Sequence, residues 1–504
     1  MRKMVSTSEH SFCFTSLLIG VVLGFFCFTI PPIGIATTWE RRAPVSSGQR
    51  GKWITGSVID VTSGRAIVGA RIDIFKRIVD VRPDGTQRLH PLSASIPLGT
   101  TLTDDEGRFA FRLPSGNPTS FLALSIRAEG YWSAWVALIR VDSGLIPPID
   151  VEMVRVALTR PELALWARRW GRLKERLYQQ HPSFDQAVDL RTWFTPAPRP
   201  TLDKGALLAQ DHPTYPVPDD VYVVDLAGFT GFIDLDEFIA GVVSIEMGDG
   251  FPLEALKAQA VAARSFAVER FHRTGVANGG QAYTPRIGSK SLTATINTSK
   301  VVMLYDEGVI VALFSARCNG DFTLNSEDGL SGTSTCIVGG LGVGRLPYAR
   351  SRPCSGHINC SQTSERCCEV FVEGRLQYIH GHGVGLCQRG AQEFAGRDGW
   401  DWRDILTDYY TDIALANAPG FTIGVTVTTT ANLNVRETPC GRRLTTVPRG
   451  MRGMIINGPE RPFCDLAAPY SFFTWWQVVY EDGTVGWSVE DYLRKTNAPD
   501  SSRE

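Results

Sequence analysis

The stretch DLDEFIAGVVSIEMGDGFPLEALKAQAVAARSFAVERFHRTG, from Asp234 to Gly275, decides how the central part of the chain folds. Behind Asp234, the residues Leu235, Phe238, Ile239, Val242 and Val243 recur at helical spacing, and Glu237 stands three positions after Asp234 in capping-box register. Gly248-Asp249-Gly250 breaks this helix, and Pro252 opens a second one that ends near Gly275. Glu246 therefore falls at the C-terminal end of the first helix, between Ile245 and Met247. The negative end of the helix dipole and the apolar neighbours both disfavour ionisation there, which is what a general acid working near neutral pH requires. On the second helix Lys257 and Arg264 share one face, whereas Gln259 lies roughly opposite Lys257.

Strand patterns flank this helical centre. From Gly56 to Met153 the chain alternates with frequent turn signals, as in Arg71–Phe75 (RIDIF), Arg108–Leu113 (RFAFRL) and Leu122–Arg127 (LALSIR), which predicts a small β-sandwich. Asp104-Asp105-Glu106 before Gly107 reads as the turn into the next strand, since no full set of calcium ligands accompanies it. A helix with Trp166 and Trp170 on its stripe follows Thr159, and residues 194–220 are a proline-rich linker. From Gly424 to Thr496 alternation returns, with Glu481-Asp482-Gly483 as a hairpin turn. The fold class expected is multidomain α+β: a sandwich, a mixed α+β centre and a small β-barrel.

Length and charge agree with this division. A chain of 504 residues suggests about three domains. With Lys+Arg at 51 and Asp+Glu at 52, the net charge of -1 excludes a nucleic-acid binder that works through bulk positive charge. Arg2 and Lys3 precede an apolar run from Phe12 to Ile30, which is adequate for a membrane span of roughly 20 residues. Gly34-Ile35-Ala36 offers a cleavage site, so residues 1–36 are either a retained anchor or a removed signal peptide. Both readings export the remainder.

Export gives the 11 cysteines a redox context. Cys13 and Cys27 belong to the address, and Cys440 and Cys464 suit a local disulfide near the C-terminus. Seven fall between Cys318 and Cys387, an odd number. Cys354, His357 and Cys360 are spaced as zinc ligands, and a site of Cys318, Cys354, His357 and Cys360 would leave Cys336, Cys367, Cys368 and Cys387 for two disulfides. Three disulfides and a free thiol fit the same count. His382 sits in the glycine-dense run Gly381–Gly385, which reads either as the lining of a ligand groove, together with Gln388, or as a structural turn.

LDEFIAGVVSIEM from Leu235, FPLEALKAQAVAARS from Phe251, the hairpin around Asp306-Glu307-Gly308, Phe314-Ser315-Ala316 and GHGVGLCQRGA from Gly381 together resemble the stage II sporulation protein D / amidase-enhancer family over residues 226–416. The resemblance implies a lytic transglycosylase that cuts peptidoglycan strands stripped of stem peptides, or alternatively a non-catalytic wall-binding enhancer of a cell-wall amidase. It places the catalytic carboxyl at Glu246, with Lys257 and Arg264 as catalytic cations and His382, Gln388 and Gln259 on the substrate. Glu246 would protonate the glycosidic oxygen and then take the proton of the muramic C6 hydroxyl, which closes onto C1 as a 1,6-anhydro end. That route requires one carboxyl group, unlike the paired carboxylates of ordinary glycosidases, and no cofactor; zinc remains an open alternative near the site. Residues 50–157, through Gly56-Ser57-Val58, Ala70-Arg71-Ile72 and Gly130-Tyr131, resemble the carboxypeptidase regulatory-like (transthyretin-like) sandwich. Residues 423–497, through Leu433-Asn434-Val435-Arg436 and Gly483–Trp487, resemble bacterial SH3-like barrels, which bind wall peptides or glycans. Residues 158–225 connect sandwich and centre. The partners expected are glycan strands and a wall amidase, in an extracytoplasmic location.

Overall fold

Alternating apolar residues drive the N-terminal strands into two sheets that share one core. Trp53–Asp60 pairs antiparallel with Arg108–Arg112 and parallel with Ile149–Met153. The facing sheet runs in the order Arg286–Gly288, Ala134–Arg140, Phe121–Arg127, Arg71–Lys76, Ile96–Leu102. Ile54, Val58, Ile72, Ile74, Leu122, Leu124 and Ile126 fill the space between the sheets, as period-two side-chain alternation requires. The computed structural model describes residues 52–495 apart from 115–119, 142–145, 157–212, 319–321, 333–334, 355–366, 373–374, 419–420, 422, 461 and 465–470, and apart from the side chains of 375, 463, 464, 471 and 472. The expected N-terminal apolar span and most of the helix-and-linker stretch lie outside the described residues. No helix among the described residues is long and apolar enough to cross a membrane.

Phe121–Arg127 is buried on both faces, because the sheet has a second core behind it. Phe121 and Leu138 join the central core there, and the Phe121 and Phe229 rings meet edge-on at 5.6 Å. The continuous apolar reading FLALSI is thus that of a doubly covered strand rather than of a sandwich with a wet outer face. Two sheets cross the boundary expected between sandwich and centre. Arg286–Gly288, from the central region, adds to the edge of the N-terminal sheet beside Ala134–Arg140, and Phe232 pairs with Arg88 in a sheet that joins Gln87–Leu89 to Phe229–Asp234. A buried bidentate ion pair, Arg77 to Glu237 at 2.7 and 2.9 Å, fastens the same junction.

The centre holds five α-helices among the described residues: α1 (Leu235–Glu246), α2 (Leu253–Thr274), α3 (Ser289–Asn297), α4 (Gln388–Gly396) and α5 (Trp402–Tyr409). Asp234 caps α1 by accepting the Glu237 N–H at 2.9 Å. The capping box is only half formed, since the Glu237 carboxylate is drawn away by Arg77 and the Leu92 N–H. Every residue of α2 from Glu254 to Val268 is buried. Its alanines let α1, α3, α4 and α5 approach from all sides, as a helix enclosed by neighbours requires. The chain as a whole is mixed α+β.

At the C-terminus a seven-stranded sheet runs in the order Arg443–Val447, Leu433–Arg436, Val485–Val489, Trp475–Tyr480, Arg452–Glu460, Thr426–Thr429, Leu493–Lys495. Val427, Leu433, Val435, Ile455, Trp476 and Val478 form its core. Trp475, Trp476 and Trp487 are all buried, so they pack rather than present a ligand platform; Tyr492 is the exposed aromatic of that group.

Candidate functional site

Glu246 occupies the last turn of α1, and the next residues leave the helix through Gly248 at φ 76°. The residue is 8% exposed. One oxygen, Oε2, accepts from Gln388 Nε2 at 3.0 Å, and Oε1 accepts from the Ala282 N–H at 3.3 Å. Gln388 Nε2 also lies 3.5 Å from Gln259 Oε1. Three residues separated by up to 142 positions are thereby joined in one buried cluster. Gln259, roughly opposite Lys257 on the helical wheel, thus faces Gln388 at the start of α4.

His382 completes the group. Gly381, Gly383 and Gly385 all take positive φ. At Gly385 the reason is close approach: a Cβ there would stand 2.0 Å from the Leu313 carbonyl oxygen, on the chain leading into the parallel pair of Phe314–Ser315 and Leu386–Cys387. His382 Nδ1 accepts the Val384 N–H at 3.1 Å, which assigns the neutral ring's proton to Nε2. Burial lowers the imidazole to about 4, although the Phe314 backbone and the Glu246 charge favour protonation. The ring is therefore a neutral, oriented group near Glu246 at physiological pH.

Lys257 and Arg264 are not in this cluster, contrary to the sequence expectation. Lys257 Nζ donates to Glu254 Oε1 at 2.8 Å and pairs with Asp491 of the C-terminal region. Burial disfavours its charge, but Asp491, Glu254 and Glu490 outweigh that and hold the ammonium above its ordinary range. Arg264, fully buried, pairs with Asp236 at 2.8 Å and donates to the Thr295 carbonyl at 2.9 Å, which ties α2 to α1 and α3. What the face carrying Lys257 and Arg264 meets is the protein's own carboxylates, because a fully enclosed α2 has no solvent or ligand side at these positions.

Of the four expected zinc ligands, the structure describes Cys318 and Cys354. Cys318 and Cys354 form a disulfide, as do Cys336 and Cys368. A cystine sulfur is not a thiolate ligand, so two of the four expected ligands are consumed, and His357 and Cys360 lie outside the described residues. Cys367 and Cys440 are disulfide-bonded as well, while the side chain of Cys464 lies outside the described set. Cys387 is a buried free thiol. It caps α4 by accepting the Gly390 N–H at 3.3 Å, and burial pushes its pKa up.

The sequence reading missed the Ala282 N–H, a backbone donor with no side-chain signature. Its position depends on Gly241, where a Cβ would stand 2.3 Å from the Tyr283 ring and 2.7 Å from the Thr284 carbonyl oxygen. A glycine inside a helix costs about 1 kcal/mol relative to alanine, and that unfavourable choice was the available signal for a chain packed against α1. The next acid along the chain, Asp249, is occupied: it accepts from the Lys290 and Ser291 N–H groups at 3.0 and 2.9 Å and from Ser291 Oγ at 2.7 Å. Glu246 is the carboxyl that the Gln388, Gln259 and His382 cluster surrounds.

Among known proteins, an uncharacterized protein of Brachyspira hyodysenteriae is 29% identical over 121 residues, covering 22% of this chain and 32% of that protein. The chain thus matches about a third of the length of that curated relative. Of solved structures, hydroxyquinol 1,2-dioxygenase from Pseudomonas putida DLL-E4 matches 22% of this chain and 58% of its own at 16% identity, with a TM-score of 0.14. The shaft pilin SpaA from Lactobacillus rhamnosus GG matches 22% and 50% at 15% identity, with a TM-score of 0.16. Scores this low carry nothing about fold. Residues 230–305, which span α1, α2 and α3 and include Glu246, match the family model SpoIID, Stage II sporulation protein, and it is to that family that the site-bearing segment of this chain is similar.

Proposed function

We propose that this protein is an extracytoplasmic peptidoglycan lytic transglycosylase that cleaves the bond between N-acetylmuramic acid and N-acetylglucosamine in peptide-free glycan and leaves a 1,6-anhydro end. The observation that carries this reading is the buried carboxyl of Glu246, with both oxygens held by donors, Gln388 Nε2 and the Ala282 N–H. One carboxyl suffices when the sugar's own C6 hydroxyl is the nucleophile. Glu246 gives its proton to the glycosidic oxygen as the bond to C1 breaks. It then receives the C6 hydroxyl proton as that oxygen closes on C1, so no water is consumed. Gln388 and Ala282 hold the carboxyl in one orientation through both steps, and the neutral His382 ring adds a polar wall without a competing charge. The N-terminal sheets and the C-terminal sheet are read as carboxypeptidase regulatory-like and SH3-like, the latter as a wall-binding element, with the segment before residue 37 as the export signal or anchor.

Glu246→Gln is expected to lower the release of 1,6-anhydro ends from peptide-free glycan by at least about 100-fold, followed by mass spectrometry. Wild-type protein that releases none refutes the enzyme. One observation favours the alternative of an amidase-enhancing scaffold: Lys257 and Arg264, the cations that the family resemblance assigns to catalysis, are bound to internal carboxylates. Under that alternative, sacculus binding and stimulation of an added wall amidase persist in Glu246→Gln.

A further inference from the structure

One short segment ties the N-terminal sheets to the end of α1. Arg286–Gly288 pairs with Ala134–Arg140, and the Ser289 N–H donates to the Ser133 carbonyl at 2.9 Å. On its other side the Gly288 N–H donates to Ser244 Oγ at 3.1 Å, and the Asp249 carboxylate accepts from Lys290 and Ser291. Gly288 has no room for a side chain, since a Cβ would stand 2.2 Å from Asp249 Oδ1. Ser244 lies in the last turns of α1 and Asp249 just past its end, so the turn at Tyr131–Ser133 is fixed against the end of α1.

Trp132 and Lys290 meet on this seam, both half-buried. Lys290 Nζ lies 5.7 Å from the centroid of the Trp132 ring and donates to the Phe251 carbonyl. The Phe251 ring in turn carries the Arg389 guanidinium at 4.8 Å, and Arg389 follows the Gln388 that holds Glu246. Among the described residues, no carboxylate lies within ion-pair distance of Lys290; burial lowers its ammonium to about 8, while the more distant Asp249 charge acts in the opposite sense. An aromatic face offers an apolar plate with its own directional preference, and an ammonium is a strong donor to a carboxylate. With the ammonium over the indole ring, the pair joins an apolar plate to a cation and matches a pyranose ring that bears a carboxylate.

We propose that Trp132 and Lys290 form a saccharide subsite beside Glu246, in which the indole stacks on a pyranose ring and the ammonium binds the lactyl carboxylate of an N-acetylmuramic acid unit. The subsite rests on the reading of the Glu246 cluster as a glycan site, and it gives the N-terminal sheets a part in substrate binding. It also selects substrate. A stem peptide is joined through that same carboxylate as an uncharged amide, so only stripped glycan presents the anion that Lys290 takes.

The test uses the full chain carrying Glu246→Gln, so that ligand is not cut. It is titrated calorimetrically with a peptide-free muramic acid–glucosamine tetrasaccharide, with the same tetrasaccharide after its carboxylates are reduced to alcohols, and with chitotetraose. Lys290→Gln is expected to weaken the first ligand about tenfold and to leave the other two unchanged, with Lys290→Arg restoring affinity. Trp132→Ala is expected to weaken all three about tenfold, with an unchanged urea midpoint showing that the fold persists. Unaltered affinity of Lys290→Gln for the carboxylated strand overturns the proposal, as does a loss shared equally by all three ligands or unaltered binding in Trp132→Ala. The readout is binding, so a wild-type protein that releases no anhydro ends removes the lytic reading and leaves this result interpretable.

Discussion

Replacing Lys257 by Met separates the two roles that this residue has been given. In the structure its ammonium is the cation between Glu254 on α2 and Asp491 of the C-terminal region, and all three side chains are buried. Neighbouring contacts cross the same interface: Arg403 pairs with Glu490 at 3.1 Å and Asn297 Nδ2 donates to Asp491 at 3.1 Å, while Trp476 Nε1 holds Glu490 from within the C-terminal region at 2.8 Å. Lys257→Met leaves Glu254 and Asp491 facing each other without a cation. Removing one partner of a buried pair costs about 3–5 kcal/mol. Glu254 limits the loss, because burial already pushes its carboxyl above the usual carboxylate range and Lys257 is what pulls it back. Without Lys257, Glu254 takes up a proton more readily when folded than when unfolded. By linkage, the variant's stability then falls as pH rises through the window between the ordinary carboxylate value of 4.5 and the raised folded one. The destabilisation is therefore expected at about 3 kcal/mol near pH 7.5 and smaller at pH 6. Urea unfolding followed by tryptophan fluorescence measures it, and a double-mutant cycle with Asp491→Asn should give a coupling of about 1–3 kcal/mol. An unchanged urea midpoint together with lost glycan cleavage would refute the structural role and return Lys257 to the reaction.

Two further outcomes follow from the site's packing. Gly241→Ala puts a methyl group into the Tyr283 ring, which should cost about 1–3 kcal/mol by urea denaturation and shift the Ala282 N–H off Glu246; unchanged stability and cleavage would show that the 276–285 segment is not needed there. His382 is held near 4 against an ordinary 6.5, so the unfolded chain binds more protons between these values. The corresponding stability is complete above pH 6.5 and is lost as pH falls toward 4. Between pH 7 and pH 5 the loss is at most about 2 kcal/mol, because the ring keeps some solvent contact, and His382→Asn should flatten the profile over that interval.

Much of the site was legible because its information is local. Glu246 at the end of a helix, the break at Gly248 and the C-terminal stop at Gly275 all depend on spacing and on residues with distinct backbone behaviour, and α1 and α2 end where those signals stand. The glycine run around His382 likewise announced a close approach, and Gly385 meets the Leu313 carbonyl there. The cationic face of α2 was visible for the same reason, but its partner was not. Asp491 is remote in sequence, and a lysine seven residues from an arginine looks the same whether it faces a sugar or a buried carboxylate.

Local pattern along the chain accounts for the elements and their order: strands, a helical centre and strands again, with one carboxyl set at a helix end. Periodicity and capping encode these within a few residues of chain. Which groups meet around Glu246 follows from three-dimensional packing. It brought Gln388 and the Ala282 N–H to Glu246, gave Lys257 and Arg264 to internal ion pairs, closed Cys318 on Cys354 and placed Trp132 beside Lys290. Hydrogen bonds, ion pairs and disulfides form between groups that packing makes adjacent. Packing is settled by the summed burial of distant apolar faces, which no local pattern contains.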